Sequence, residues 1–340
     1  MLKLYETYSI QDIADILGCS HPKVRDKLRE YGADTSRQTT SKIELRLFNI
    51  IQSMCPDAVL QDRVELYPQE IDIYIPSKKI GIEVNGLYWH SNKFKDINYH
   101  KDKKQRAAAV GIRLIHIFED ELENKWDVVI RKLTRLLTPV KTVYARQCLV
   151  SNVLDKSLFE YYHIQGYRPH TYCVSLEHKG KVVASGLFLK NQDKVELIRY
   201  ASSECVVGGM SRVIKAFIRQ YGSDYTSLYT YADLTWCDFV NSYDIIGMKR
   251  EHTTPPDYYY YKTYDGNTRR FGRQHRRNFT REKIKTRFPE IYRVSHTEWQ
   301  MMDEAGYVRI YDCGKIKYSI DLHGVFNEKG YDPKLRELNK

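Results

Sequence analysis

The chain has 340 residues, 42% hydrophobic and 29% charged, enough apolar material for two or three compact domains. No apolar run approaches the roughly 20 residues of a membrane helix, and acidic residues interrupt the first apolar positions, so a cytoplasmic protein without a membrane partner or signal peptide is expected. A formal charge of +11 favours polyanionic partners, and seven cysteines with no CxxC pair exclude a zinc ribbon or disulfide framework, leaving free thiols.

Residues 1–38 form the first expected segment. Ser9 suits an N-cap, and Ile10, Ile13, Ala14, Ile16 and Leu17 have helical spacing. Gly18 breaks that helix, Ser20 can cap a second, and Val24 and Leu28 supply its buried stripe. Two short helices joined through a glycine make either a DNA-reading helix-turn-helix or a plain helical hairpin; the first would present Ser20, His21, Lys23 and Lys27 to a major groove. A polar linker at 33–40 follows.

Residues 41–138 read helix, strand, strand, helix, strand, helix, a mixed α/β domain. In IDIYIPSKKIGIEV a four-residue turn, Pro76 to Lys79, pairs Ile75 with Ile80 and sets Asp72 opposite Glu83. Opposed carboxylates repel unless a cation lies between them, for which Mg²⁺ is suited; otherwise the polar face of the hairpin is simply wet. Asn85 shares the face of Glu83, His90 follows the strand, and His100 and Lys103 stand at i, i+3 on the next helix. Glu44 lies in the preceding helix, on the face away from Leu47 or near its edge. Carboxylates, imidazoles and an ammonium are the groups that phosphodiester hydrolysis uses. His116, inside the strand IRLIHIF, reads as a core residue, and Glu119, Asp120 and Glu121 as the start of a helix over 120–137.

Residues 142–321 are expected to form the third domain, with strands at YCVSLEH, KVVASGLFLK and KVELIRYAS, then a glycine turn and a helix. Gly208-Gly209 is either a phosphate cradle at a helix N-terminus or a tight turn. A strand at SLYTYADL, a helical segment near 236–243 and the strand DYYYYK come next. From Lys262 to Arg293 eleven basic residues face three acidic ones; Arg269, Arg270, Arg273, Arg276, Arg277 and Arg281 lie among aromatics, suited to DNA contact or to a solvated basic helix.

The strings EIDIYIPSKKIGIEVNGLYWHS and YHKDKKQRAAAVGIRLIHIFEDEL resemble the Vsr-like branch of the PD-(D/E)xK nucleases, in particular phage homing endonucleases of the EDxHD type. The resemblance implies Asp72 and Glu83 as metal ligands, Glu44 in support, His90 and His100 handling water or leaving group, and Lys103 near phosphate. Asn85 stands where the PD-(D/E)xK pattern has lysine, so that role would pass to a histidine or to Lys103. The strand, glycine turn and helix around Gly208 resemble the acetyl-CoA-binding core of GNAT acyltransferases, without their full glycine signature.

The expectation is therefore an α/β multidomain protein: an N-terminal helix-turn-helix, a Vsr-like nuclease domain and a GNAT-like domain. It would act as a phage-borne, Mg²⁺-dependent endonuclease on double-stranded DNA, with no obligate protein partner evident. Two other readings stand beside it, a GNAT-like nucleic-acid-modifying transferase and a non-catalytic DNA-binding regulator.

Overall fold

The computed structural model describes residues 1–5, 10–33, 41–262 and 272–323; Ser9, positions 34–40, Arg269, Arg270 and the tail from 324 lie outside them. The chain is a mixed α/β protein with two compact units, Met1–Asn124 with Pro256–Cys313, and Lys125–Pro255 with Gly314–Lys340. The division falls inside the stretch 120–137, and residues 256–313 go with the first unit.

The first unit begins with α1 (Leu2–Tyr5), α2 (Ile10–Leu17) and α3 (His21–Glu30). Ile13 and Ala14 of α2 pack on Val24 and Leu28 of α3, all at most 1% exposed. The small side chain of Ala14 lets the two helices approach, and Pro22 sits in the first turn of α3, where no amide hydrogen is missed. Next come α4 (Lys42–Met54), β1 (Val59–Asp62), β2 (Ile71–Ile75), β3 (Ile80–Asn85), α5 (Tyr99–Ala109), β4 (Arg113–Phe118) and α6 (Glu119–Asn124). The sheet order is β1-β2-β3-β4, with β3 and β4 parallel and the other pairs antiparallel. The β2–β3 register is the one read from the turn, Ile75 opposite Ile80 and Ile73 opposite Ile82. Both faces of the hairpin are covered, however: Ile71, Ile73, Ile80 and Ile82 are buried, and so are Glu83 and Asn85.

The second unit carries α7 (Trp126–Leu137), β5 (Thr142–Tyr144), β6 (Leu149–Ser151), α8 (Lys156–Tyr162), β7 (Tyr172–His178), β8 (Lys181–Asn191), β9 (Lys194–Ser202), β10 (Cys205–Val207), α9 (Gly209–Tyr221), β11 (Ser227–Asp233), α10 (Ser242–Ile245) and β12 (Lys249–Thr253). The helical segment expected near 236–243 is thus a single turn starting at Ser242. The chain then returns to the first unit with β13 (Tyr258–Lys262), β14 (Gln274–His275), α11 (Arg281–Arg287), α12 (Glu298–Glu304) and β15 (Tyr307–Tyr311), where β13 lies between β14 and β15. The last strand, β16 (Lys315–Asp321), joins the seven-stranded sheet β12-β16-β11-β9-β8-β7-β6 of the second unit.

In that sheet β8 and β9 pair antiparallel, with one extra residue, Ile198, between the pairs Leu187–Arg199 and Phe188–Leu197. Beyond β9, α9 buries Val213, Ile214, Phe217 and Ile218, spaced as one helical face, and stacks Phe217 on Phe188 at 3.9 Å between centroids. β11 runs parallel to β9 over only three pairs, Ser227–Lys194 to Tyr229–Glu196. On its other edge β11 pairs with β16 from Ser227 to Asp233, while among the described residues positions 197–202 of β9 have no strand partner on the β11 side.

Candidate functional site

In the first unit the hairpin, α4 and α5 bring one charged cluster together. Ser41 caps α4 reciprocally with Glu44, accepting from the Glu44 amide at 3.2 Å. This places Glu44 on the same face as Leu47 and Ile51, so it points inward and not away from Leu47. Burial, followed by the charge of Asp72, pushes its carboxyl up to about 8. Asp72 accepts the Val84 amide at 2.7 Å through Oδ2, and burial followed by the Glu83 charge raises it to about 8. Glu83, 1% exposed, accepts from the Lys103 ammonium; burial raises its pKa above the ordinary carboxylate value. Burial opposes the charge on Lys103, but Glu83 and Asp72 outweigh it and hold the ammonium above its ordinary value.

The histidines form a second layer beside these acids. His90 Nδ1 and His100 Nε2 are 2.8 Å apart with the rings stacked, and His100 lies edge-on to His116 at 5.4 Å between centroids. Burial lowers all three pKa values, His100 to about 3, so all are neutral at pH 7. His116, expected as a core residue, is fully buried with its Nδ1 3.3 Å from Asn85 Nδ2. The fold therefore gathers Glu44, Asp72, Glu83, Asn85, His90, His100 and Lys103. The compensation for crowded carboxylates is an ammonium, an amide hydrogen and, on the raised acids, protons. Among the described residues no group of three or more His, Cys, Asp or Glu side chains could hold a metal ion. The expected Mg²⁺ site at Asp72 and Glu83 is corrected on that geometry.

The expected DNA-contacting residues divide by environment. Lys23 and Lys27 stand exposed on α3 with His21 half-buried, Ser20 precedes the helix, and Lys27 pairs with Glu30 at 2.6 Å. Arg273 is held in the interior: it pairs with Asp120 at 2.9 Å and Glu121 at 3.3 Å, and its guanidinium lies 3.7 Å from the Phe118 ring centroid. Arg281 donates to the carbonyls of Val294 and His296, and Arg276 pairs with Asp257 at 2.8 Å. Arg277 is exposed, and Arg269 and Arg270 lie outside the described residues.

The second unit adds the Thr230 and Tyr243 contacts, which were not expected, to the Gly208-Gly209 turn that was. At the divergence of β9 from β11, the Thr230 hydroxyl donates to the Leu197 carbonyl at 2.9 Å. Tyr243 is half-buried there, and desolvation pushes its phenol up to about 12. The α9 N-terminus has no side-chain cap, and Gly208 before it takes φ 75°, a left-handed conformation suited to glycine. At Gly209 a Cβ would lie 2.5 Å from the Tyr200 hydroxyl oxygen. Gly209→Ala is expected to cost about 1–3 kcal/mol of stability, and Tyr200→Phe in the same chain to recover part of it. Urea midpoints of the two variants check this; equal midpoints would show that the hydroxyl is not the obstacle.

No family model matches the chain, and no curated protein matches it. Among solved structures, it is similar to a GNAT family acetyltransferase from Elizabethkingia anophelis with acetyl-CoA bound, at 11% identity and a TM-score of 0.23, covering 44% of this chain and 75% of that one. It is also similar to a Bacillus subtilis acetyltransferase in complex with CoA, at 13% identity and a TM-score of 0.22, covering 44% and 76%. No family model of such a nuclease matches, and no group among the described residues could hold its metal, so the expectation of a Vsr-like, PD-(D/E)xK phage homing endonuclease that hydrolyses DNA is corrected. None of the described helices is long and apolar enough to cross a membrane.

Proposed function

We propose that the chain is a DNA-associated acyltransferase, in which the second unit binds an acyl-coenzyme A and the first contacts double-stranded DNA. The observation that carries the reading is the divergence of β9 from β11 beside the uncapped head of α9. Parallel strands that separate after three pairs leave backbone groups of β9 without a strand partner, and a flat amide-bearing chain can pair with such an edge. The amides at the start of α9, beyond Gly208 and Gly209, are suited to the ligand's phosphates because the helix dipole and the open donors act together. The absence of a Cβ at Gly209, where one would strike Tyr200, keeps that approach close to the backbone. When bound, the thioester would supply an activated acyl group for an amine.

DNA contact is proposed through α3, with Ser20, His21, Lys23 and Lys27 toward the groove, as a helix-turn-helix reads DNA, and through Arg277 on the first unit's return segment. The net charge of +11 supports a polyanionic partner, and an intracellular setting goes with it.

Calorimetry and a gel-shift titration test the two halves separately. The intact protein should bind acetyl-CoA at one site and transfer labelled acetyl to an amine acceptor; no heat at millimolar ligand would end the acyl-CoA reading. A Lys23→Ala/Lys27→Ala variant should bind duplex DNA about 3–10-fold more weakly with a salt slope shallower by about 2. An unchanged slope would remove α3 from the contact.

A further inference from the structure

A cavity of about 150 Å³ in the second unit is lined by Arg131, Lys132, Arg135, Tyr162, Tyr200 and Ser202. Three of these are cations from one turn and a half of α7, and Arg131 and Arg135 stand at i, i+4, where like charges destabilise a helix. Neither arginine has a carboxylate within ion-pair distance among the described residues; their partners are neutral. Arg131 donates to the Tyr161 carbonyl at 3.4 Å. Arg135 donates to the Ser202 carbonyl, to Ser202 Oγ at 3.1 Å and to the Glu204 carbonyl at 2.6 Å, which fixes its guanidinium against the end of β9. The Lys132 ammonium rests over the Trp236 ring, 4.4 Å from its centroid. The positive field extends to His163 at the end of α8, whose pKa falls well below normal through burial and then through Arg199, Lys132 and Lys125. Tyr200 is held protonated by burial, so its hydroxyl is available as a donor.

We infer that this cavity binds a phosphate group. Its volume equals that of about five liquid waters, enough for a tetrahedral oxyanion. Two guanidinium groups and an ammonium match the charge of a phosphate dianion, and the bonds of Arg135 to Ser202 and Glu204 hold its charge in place beside the cavity. An anion there would also relieve the repulsion among the three α7 cations. The cavity shares Tyr200 with the α9 head proposed for coenzyme A, where that hydroxyl lies beside Gly209, but its cations come from α7 and the inference does not depend on acyl transfer.

The test uses the full chain and inorganic phosphate and pyrophosphate, with sodium chloride at matched ionic strength as reference. Pyrophosphate at several millimolar should raise Tm by about 2–4 °C over chloride, and ³¹P line broadening should report binding. An Arg131→Gln/Lys132→Gln variant should bind at least about tenfold more weakly, and Tyr200→Phe, which keeps the charges, a few-fold more weakly. No shift beyond chloride, or an undiminished shift in the double variant, would overturn the inference. If the double variant fails to fold, Tyr200→Phe decides, and unchanged affinity in it counts against the site. A short duplex that displaces phosphate assigns the group to a DNA backbone, whereas failure to displace it assigns a small phosphorylated ligand.

Discussion

Lys103→Met should be among the most damaging single substitutions in the first unit, costing about 3–5 kcal/mol in denaturant unfolding. The Lys103 ammonium donates to Glu83 Oε2, and the side chains are only 6% and 2% exposed. Methionine fills similar volume but leaves a buried carboxylate without its counter-charge, while Glu83 Oε1 already has no hydrogen-bond partner. Glu83 can respond only by taking up a proton, so the loss should be smaller at pH 5 than at pH 8. Adding Glu83→Gln removes the stranded charge and should recover most of the stability, giving a coupling of about 2 kcal/mol or more in a double-mutant cycle. Additive effects of the two substitutions would mean that the pair does not stabilise the fold.

Local pattern made the strands legible. Alternation and the Pro76–Lys79 turn placed the β2–β3 register correctly, because one residue of slip would invert every side chain. The run of β7, β8, β9 and α9 was likewise readable from alternation giving way to helical spacing. What covers a polar face was not. A hairpin with Glu83 and Asn85 on one side reads as half-wet, yet both are buried because α5 supplies His100 and Lys103, themselves buried, beside them. The cap geometry at Ser41 turned Glu44 inward, although helical periodicity alone would already have put residues 44, 47 and 51 on one face.

The longest miss was in sequence separation. The segment 256–313 packs with the first unit, tied by Arg309 to Asn92 at 2.7 Å and by Arg273 to Asp120 at 2.9 Å. No window of a few residues reveals that Arg273 pairs with a half-buried acid 153 positions away, so it read as one more phosphate-seeking arginine in a basic run. The cationic cavity was missed for a related reason. Arg131, Lys132 and Arg135 look like the solvated side of an amphipathic helix until Tyr162, Tyr200 and Ser202 are seen to close around them.

Stability should fall as pH rises from about 7 to 8.5, and Asp72→Asn should flatten much of that slope. In the folded state Asp72 and Glu44 titrate at about 8, well above the ordinary values of 3.8 and 4.5 that apply on unfolding. Below about pH 6.5 the buried histidines act in the opposite sense, being neutral in the native state and protonated on unfolding; above about pH 7 the two carboxyls decide, the native state binds more protons than the unfolded chain, and ∂ΔG/∂pH is negative. The favourable contribution is whole below about pH 4, is lost as pH rises through about 8, and changes little beyond. Lys103 stays charged throughout, since its pKa is held above its ordinary value. The two acids repel each other through one pocket, so their losses do not add; together they amount to roughly 1–2 kcal/mol between about pH 7 and 8.5. Urea midpoints measured at half-unit pH steps give the slope directly. A wild-type midpoint that climbs between about pH 7 and 8.5, or an Asp72→Asn profile parallel to it, would show both carboxyls ionised in the folded protein and Lys103 compensating them alone.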